Sequence, residues 1–321
     1  MTVSDEELEA YGIVERWRTA HQAVIAKFRE ILEPRARAAD HSSLVVARLK
    51  RIPTMIRKLG RYPDMKLSKM QDIGGLRAVV GSWAEAQHLK DILLATGETP
   101  GFRHLRTTDY VTEPKESGYR SIHLVYSCCE NTEDPKLDGL TIELQIRTRI
   151  QHAWATANEV AGTFLRQDLK SGLGDPDWLR FFVLAGAKLA NVDGTPMGPD
   201  VPSDRIQFAD EFLTLRAWLN VVNRLGAYNV THQKLIESQT AFRYVVLAYD
   251  LAQFDVRLWG FGTEDFGKAV LRYRIAEKEH LNNPDFDTVL VEIDKLADLE
   301  AAFPNYFADT EIFTDLISET I

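Results

Sequence analysis

The sequence predicts an α+β protein of more than one unit, on three observations. Apolar residues recur at helical spacing near the N-terminus, short alternating strands follow Pro63, and a stretch dense in Gly, Pro and Asp at 191–205 precedes a second run of helix and strands. The 321 residues are about twice the usual size of one domain. Hydrophobic residues make up 45% and charged residues 26%, which excludes a disordered, collagenous or disulfide-stapled chain.

Leu8, Tyr11, Val14, Trp17, Ala20, Val24, Phe28, Ile31 and Leu32 mark one or two helices over 6–34, with Pro34 as the expected stop. A basic, helix-like stretch runs from Val45 to Leu59. Residues 76–80 and 122–127 read as strands, and 141–147 alternates. Ile142, Leu144 and Ile146 then face one way and Glu143, Gln145 and Arg147 the other, leaving a polar sheet face able to hold a site. Helices are expected over 83–96 and 148–169. Beyond the loop or hinge at 191–205, a helical segment extends from about 206 to 240. Strands at 242–249, 254–260 and 288–293 with a charged helix at 263–281 complete a small α/β unit. The expected domains are therefore 1–174, a helical linker at 175–240 and an acidic α/β unit at 241–321.

The formal net charge is −9, from 38 basic and 47 acidic side chains, which argues against a generic nucleic-acid binder. The charge is uneven. Residues 1–174 carry 25 basic and 23 acidic side chains and the remainder 13 and 24, so a near-neutral half precedes one of −11. The only cysteines, Cys128 and Cys129, are adjacent and fit a reducing compartment. No apolar run has the length of a membrane span and the first residues are acidic, so the expected location is the cytoplasm, with no membrane partner.

Three constellations could carry chemistry. Arg48, Lys50, Arg51, Arg57, Lys58 and Arg61, followed by Arg77, suit a polyphosphate; a solvated basic helix face is the plain alternative. On a helix over 45–59, Arg51 and Lys58 share a face with Lys50 and Arg57 beside them. In Gln-Asp-Ile-Gly-Gly-Leu-Arg at 71–77, Asp72 stands just before a strand and beside two glycines. Such a turn is common by itself and gains meaning only with Glu143, because two carboxylates from neighbouring strands can hold Mg2+ while substrate phosphates complete its shell. Otherwise Glu143 is an exposed strand residue. Residues 114–123 gather Lys115, Gly118, Tyr119, Arg120 and His123, a ring able to stack on a base, a flexible turn and donors for phosphate.

In their order and spacing, Leu-Lys-Arg-Ile-Pro-Thr-Met-Ile-Arg-Lys-Leu, Asp-Ile-Gly-Gly-Leu-Arg, Tyr-Val-Thr-Glu-Pro-Lys-Glu-Ser-Gly-Tyr-Arg-Ser-Ile-His and Ile-Glu-Leu-Gln-Ile-Arg-Thr resemble the synthetase domain of the RelA/SpoT alarmone family, over roughly residues 45–170. The resemblance implies a nucleotidyltransferase-like mixed β-sheet flanked by helices. It also implies transfer of the β,γ-pyrophosphate of ATP to the 3′-hydroxyl of GDP or GTP. Carried over by position, Arg48 and Arg77 would sandwich adenine, and Lys50, Lys58 and Arg61 would clamp the phosphates. Asp72 would ligate Mg2+, and Glu143 would assist the metal and accept the hydroxyl proton. Tyr119 would stack on the acceptor base, with Lys115, His123, Gln145 and Arg147 along its phosphates and ribose. Transfer of this kind needs alignment and charge neutralisation more than covalent help.

Two departures from the family's pattern matter. The eight histidines are scattered and no His-Asp pair occurs, so the hydrolase half of the long family enzymes is not expected. His152 and Asn158 stand where small synthetases place asparagine and glutamate. The acceptor is therefore open between guanine nucleotides, adenine nucleotides and the terminal adenosine of tRNA, the last docked near Lys66, Lys69, Arg103 and Arg106. A nucleotide-binding sensor without catalysis is the third reading. The acidic C-terminal unit carries no motif; packing or homo-oligomer formation stands against control of the synthetase, as in a toxin or defence effector held in check until triggered.

Overall fold

The computed structural model describes residues 5–50, 52–95, 99–129, 134–165, 167–169, 172–222, 225, 242–250, 255–280, 283, 286–292 and 310–319. The chain divides into two compact units. One comprises Met1–Ala78, Gln87–Thr108 and His123–Ile146, the other Val79–Ala86, Asp109–Ile122 and Arg147–Ile321.

The first unit opens with α1 (Asp5–Ala39), which runs through the stop expected at Pro34. Val24, Phe28, Leu32 and Ala36 are each 0% exposed, so one apolar row at four-residue spacing is buried on both sides of the proline. That burial outweighs the single backbone hydrogen bond a proline removes. Phe28 packs on Phe102 and Tyr126, with ring centroids 4.9 and 4.8 Å apart.

The basic stretch at 45–59 is not one helix. Leu44–Leu49 is strand β1 and Ile52–Arg61 is helix α2. Val45 and Val46 are β-branched and suit the strand, and Pro53 suits the first turn of the helix. β2 (Gly74–Val80), β4 (Ile122–Cys128) and β5 (Thr141–Thr148) lie where the sequence places strands, and α3 (Trp83–Ala95) lies where it places a helix. They join an unforeseen strand, β3 (Phe102–Asp109), in a five-stranded sheet of order β1-β2-β5-β4-β3. As an edge strand with Arg103 to Thr107 all exposed, β3 has no apolar alternation to announce it. The sheet flanked by helices agrees with the α+β expectation.

The second unit holds α4 (Arg149–Leu165), α5 (Pro176–Asp193) and α6 (Arg205–Trp218). α5 falls within the helical linker expected at 175–240. Its start is capped by the Asp175 carboxylate, which accepts from the N–H groups of Asp177 and Trp178, and its end turns at Gly194 with φ 66°. The loop expected at 191–205 therefore begins only at Gly194. α6 ends at Trp218, well short of 240, and 226–241 lies outside the described residues.

β6 (Tyr244–Asp250), β7 (Asp255–Phe261), α7 (Phe266–Glu279) and β8 (Phe286–Glu292) form the expected α/β pattern, an antiparallel sheet of order β7-β6-β8 with Leu247 opposite both Leu258 and Val289. The last described helix, α8 (Glu311–Ser318), returns to the helical core. Phe313, 0% exposed, stands 6.4 and 6.0 Å from the rings of Phe181 and Phe182 on α5. Lys188 Nζ donates to the Glu319 carbonyl at 3.0 Å and Arg216 Nη1 to the Ile317 carbonyl at 2.6 Å. Two cations thus satisfy the carbonyl end of α8. No described helix is long and apolar enough to cross a membrane.

Replacing Phe313 by Ala should cost about 3–5 kcal/mol of stability through the cavity left among these rings. Urea unfolding of the full chain measures it, and an unchanged midpoint would show that the terminal helix is not part of this core.

Candidate active site

In the first unit, Lys50 directly follows β1 and its backbone is held on both sides. Its N–H donates to the Ile73 carbonyl at 2.8 Å, and its carbonyl accepts from Arg18 Nε on α1 at 2.8 Å. That seat aims Lys50 Nζ at Asp72 Oδ2, 2.7 Å away. Lys58, from α2, reaches the other oxygen, Asp72 Oδ1, at 3.0 Å. The two lysines reach the carboxylate from a strand end and a helix, not from one helix face, and Arg51 lies outside the described residues.

Burial raises the Asp72 carboxyl, but the charges and hydrogen bonds of Lys50 and Lys58 overcome it and hold the pKa below the ordinary value. Burial likewise lowers the Lys50 ammonium, against the pull of Asp72. Arg48 and Arg61 are exposed, Arg48 on β1 and Arg61 at the end of α2, and Arg77 on β2 is half-buried.

Glu143 is the second acid. On β5 the alternation expected from the sequence holds through Ile146: Ile142, Leu144 and Ile146 are each 0% exposed. Glu143 and Gln145 lie on the opposite, half-open face. His123 Nδ1 on β4 is 3.0 Å from Glu143 Oε1, and Gln145 Nε2 donates to Oε2 at 3.0 Å. Burial acts to raise this carboxyl; the bond and charge of His123, the bond from Gln145 and the charge of Lys50 bring it down to about 2. Lys50 therefore acts electrostatically on both acids.

The second unit holds the ring cluster. Arg147 does not continue the open face of β5. It is 1% exposed, and its Nη2 donates to the Tyr119 hydroxyl at 2.7 Å. Tyr119 is itself 3% exposed, edge-on to Tyr110 and Trp154 with centroids 6.1 and 6.3 Å away. Lys115 Nζ lies over the Tyr110 ring at 4.3 Å and the Tyr119 ring at 5.2 Å, and the guanidinium of Arg147 is 5.1 Å from the Tyr119 centroid. His152 is half-buried on α4.

Arg120 corrects the reading of 114–123 as a row of phosphate donors. It is 4% exposed, and its guanidinium donates to backbone carbonyls of Gly118, Pro196 and Met197. Sequence reasoning gave no role to Tyr110, although it opens the Tyr-Val-Thr-Glu-Pro-Lys motif, and missed Trp154 and Asp193. Tyr110 follows the strand that lacked a pattern, and Asp193 sat in what read as a loop.

The donor set suits a hard divalent cation. Asp72 and Glu143 supply oxygen donors and both are held in the ionised form. Among the described residues no group of three His, Cys, Asp or Glu side chains gathers, so phosphate oxygens and water would supply the rest of a six-oxygen shell.

Residues 47–162 match the family model described as a region found in RelA / SpoT proteins. Among curated relatives, GTP pyrophosphokinase YjbM of Bacillus subtilis is 36% identical over 121 residues, 36% of this chain and 56% of its own length. A chloroplastic GTP diphosphokinase, CRSH1 of Oryza sativa subsp. japonica, is 29% identical over 208 residues, 56% of this chain and 33% of its own. The chain thus spans about half or less of the length of these two curated relatives. Among solved structures, small alarmone synthetase 1 from Bacillus subtilis bound to its product pppGpp is 27% identical with a TM-score of 0.44, covering 59% of this chain and 94% of that one.

Because the folded Glu143 pKa is depressed from 4.5 to about 2, its stabilising contribution is complete above 4.5 and is lost as pH falls toward 2. The stability gap between the natural protein and Glu143→Gln should therefore be narrower at about pH 3 than at about pH 5. Urea midpoints of both proteins across that range check it; a gap that stays the same at the acid end contradicts it.

Proposed function

We propose that this chain is a magnesium-dependent pyrophosphokinase that transfers the β,γ-pyrophosphate of ATP to the 3′-hydroxyl of a purine nucleotide, GDP or GTP first and ADP or ATP as alternatives. The observation that carries the reading is the pairing of each acid with the groups this transfer needs: Lys50 and Lys58 on Asp72, His123 and Gln145 on Glu143. The match of 47–162 to a RelA/SpoT region supports it.

In this reading Arg48 and Arg77 hold the adenine ring between guanidinium planes, and Lys50, Lys58 and Arg61 bind the phosphates. Lys50 and Lys58 exchange Asp72 for phosphate oxygens when ATP enters, freeing the carboxylate as a ligand. Asp72 and Glu143 would hold Mg2+, which supplies charge neutralisation on the phosphate chain. The acceptor's 3′-oxygen forms a bond to the β-phosphorus, the bond from that phosphorus to the α,β-bridging oxygen breaks, AMP leaves, and the hydroxyl proton passes to Glu143.

A carboxylate of pKa about 2 is a poor base. His123 and Gln145 do most of the lowering, beside a smaller part from the Lys50 charge. When they turn to the acceptor's ribose and phosphates, Glu143 loses two donors and its proton affinity rises. Tyr119 serves as the stacking platform for the acceptor base, which must take the place of the Lys115 ammonium over the ring.

Transfer to the 3′ end of tRNA is a second reading, favoured by the exposed cations Lys66, Lys69, Arg103 and Arg106 in the first unit.

Incubation with labelled ATP, Mg2+ and each of GDP, GTP, ADP, ATP and tRNA separates the readings. Label is expected on a guanine nucleotide, and Glu143→Gln should lower the rate on the order of 10²–10⁴-fold. Label on tRNA alone would move the second reading ahead. Nucleotide binding without transfer to any acceptor would leave a sensor instead of an enzyme.

A further inference from the structure

The family match ends at residue 162, yet the loop that carries Tyr119 is held by residues beyond it. Arg120 Nη1 donates to the Gly118 carbonyl at 2.8 Å, and Nη2 donates to the Pro196 and Met197 carbonyls at 3.1 and 2.6 Å. The planar fork of one guanidinium therefore ties the 114–121 loop to the segment leaving α5.

The same loop seats in a notch of α5. Gly118 has φ +82°, and a Cβ there would lie 2.9 Å from the Phe182 carbonyl oxygen. Gly186, in the middle of α5, would bring a Cβ to 2.8 Å from Arg120 Nη1 and 2.9 Å from the Gly118 carbonyl. A glycine inside a helix costs roughly 1 kcal/mol relative to alanine, and here its bare backbone is what admits the loop. Trp154 Nε1 closes the seat by donating to the Phe182 carbonyl at 2.9 Å.

The end of α5 holds the other side of the cluster. Asp193 Oδ2 accepts from Thr148 Oγ1 and from Gln151 Nε2, both at 2.8 Å. Thr148 Oγ1 in turn accepts from the Gln151 N–H, so these residues form the first turn of α4. Arg147, bonded to the Tyr119 hydroxyl, is the residue immediately before Thr148.

We propose that Arg120 and Asp193 are positioning residues for acceptor binding: α5, outside the matched region, sets the pose of Tyr119 and Lys115 through Arg120 and that of Arg147 through Asp193. The proposal deepens the pyrophosphokinase reading and rests on it for its kinetic test.

The test compares the full chain with Arg120→Lys, which keeps the charge but not the fork, and with Asp193→Asn. Phe208→Leu, in the same helical core, controls for general loss of stability. Both positioning variants should raise KM for the acceptor roughly tenfold, leave KM for ATP within about twofold and change kcat little at saturating acceptor. Phe208→Leu should leave the acceptor KM unchanged. A parallel rise in both KM values, or an unchanged acceptor KM in Arg120→Lys, would overturn the proposal. Amide hydrogen exchange of residues 115–121 supplies a readout independent of turnover, expected to quicken at least about tenfold in Arg120→Lys. If the natural protein transfers nothing, the functional reading fails and exchange alone decides: quickening supports the tie through Arg120, and natural rates in the variant refute it.

Discussion

Two carboxylates sunk into a protein surface must either take up protons or be surrounded by groups that keep them charged, and the first unit is arranged for the second outcome. Asp72 draws Lys50 from the end of β1 and Lys58 from α2, while Glu143 draws His123 from β4 and Gln145 from its own strand. The backbone of Lys50 is fixed in turn by Ile73 and by Arg18 on the long first helix. Strand order, helix placement and the buried row of α1 all serve to bring these few charges together. Removing either partner of such a pair leaves the other charge exposed to the full cost of burial, which ties site and fold to one another.

Local chemistry was legible where it was written locally. The alternation of β5 placed Ile142, Leu144 and Ile146 in the core and Glu143 on the open face, as period 2 requires. It failed at Arg147, because the end of the strand enters a different packing environment and a tyrosine hydroxyl waits there. Pro34 and the stretch from Val45 to Leu59 misled for a common reason: propensity is a weak prior that tertiary burial overrides. β3 escaped notice because an edge strand exposed from Arg103 to Thr107 has no apolar face to advertise.

The candidate site shows the same division. The residue types could be named from ordered motifs, but not their partners. Lys50 and Asp72 are 22 positions apart, Tyr119 and Arg147 28, and Arg120 reaches carbonyls 76 and 77 positions away. Nothing in a local pattern distinguishes an arginine waiting for phosphate from one bonded to the backbone. Burial decides it, and burial is a property of the assembled chain. Likewise the −9 total conceals what matters, since cations cluster where acids must be held and the acidic excess lies in the C-terminal part.

The notch at Gly186 has a consequence in time. Ribosomes deliver a chain from its N-terminus at roughly 5–20 residues per second. The loop bearing Tyr119 is therefore made several seconds before the helix that seats it, and the helix bearing Phe313, which packs on the Phe182 ring, comes last of the described elements. A chain translated only through Arg147 has both acids and the residues bonded to them but no seat for the ring. The seat of the Tyr119 ring thus stays unfinished until synthesis of the chain is well advanced.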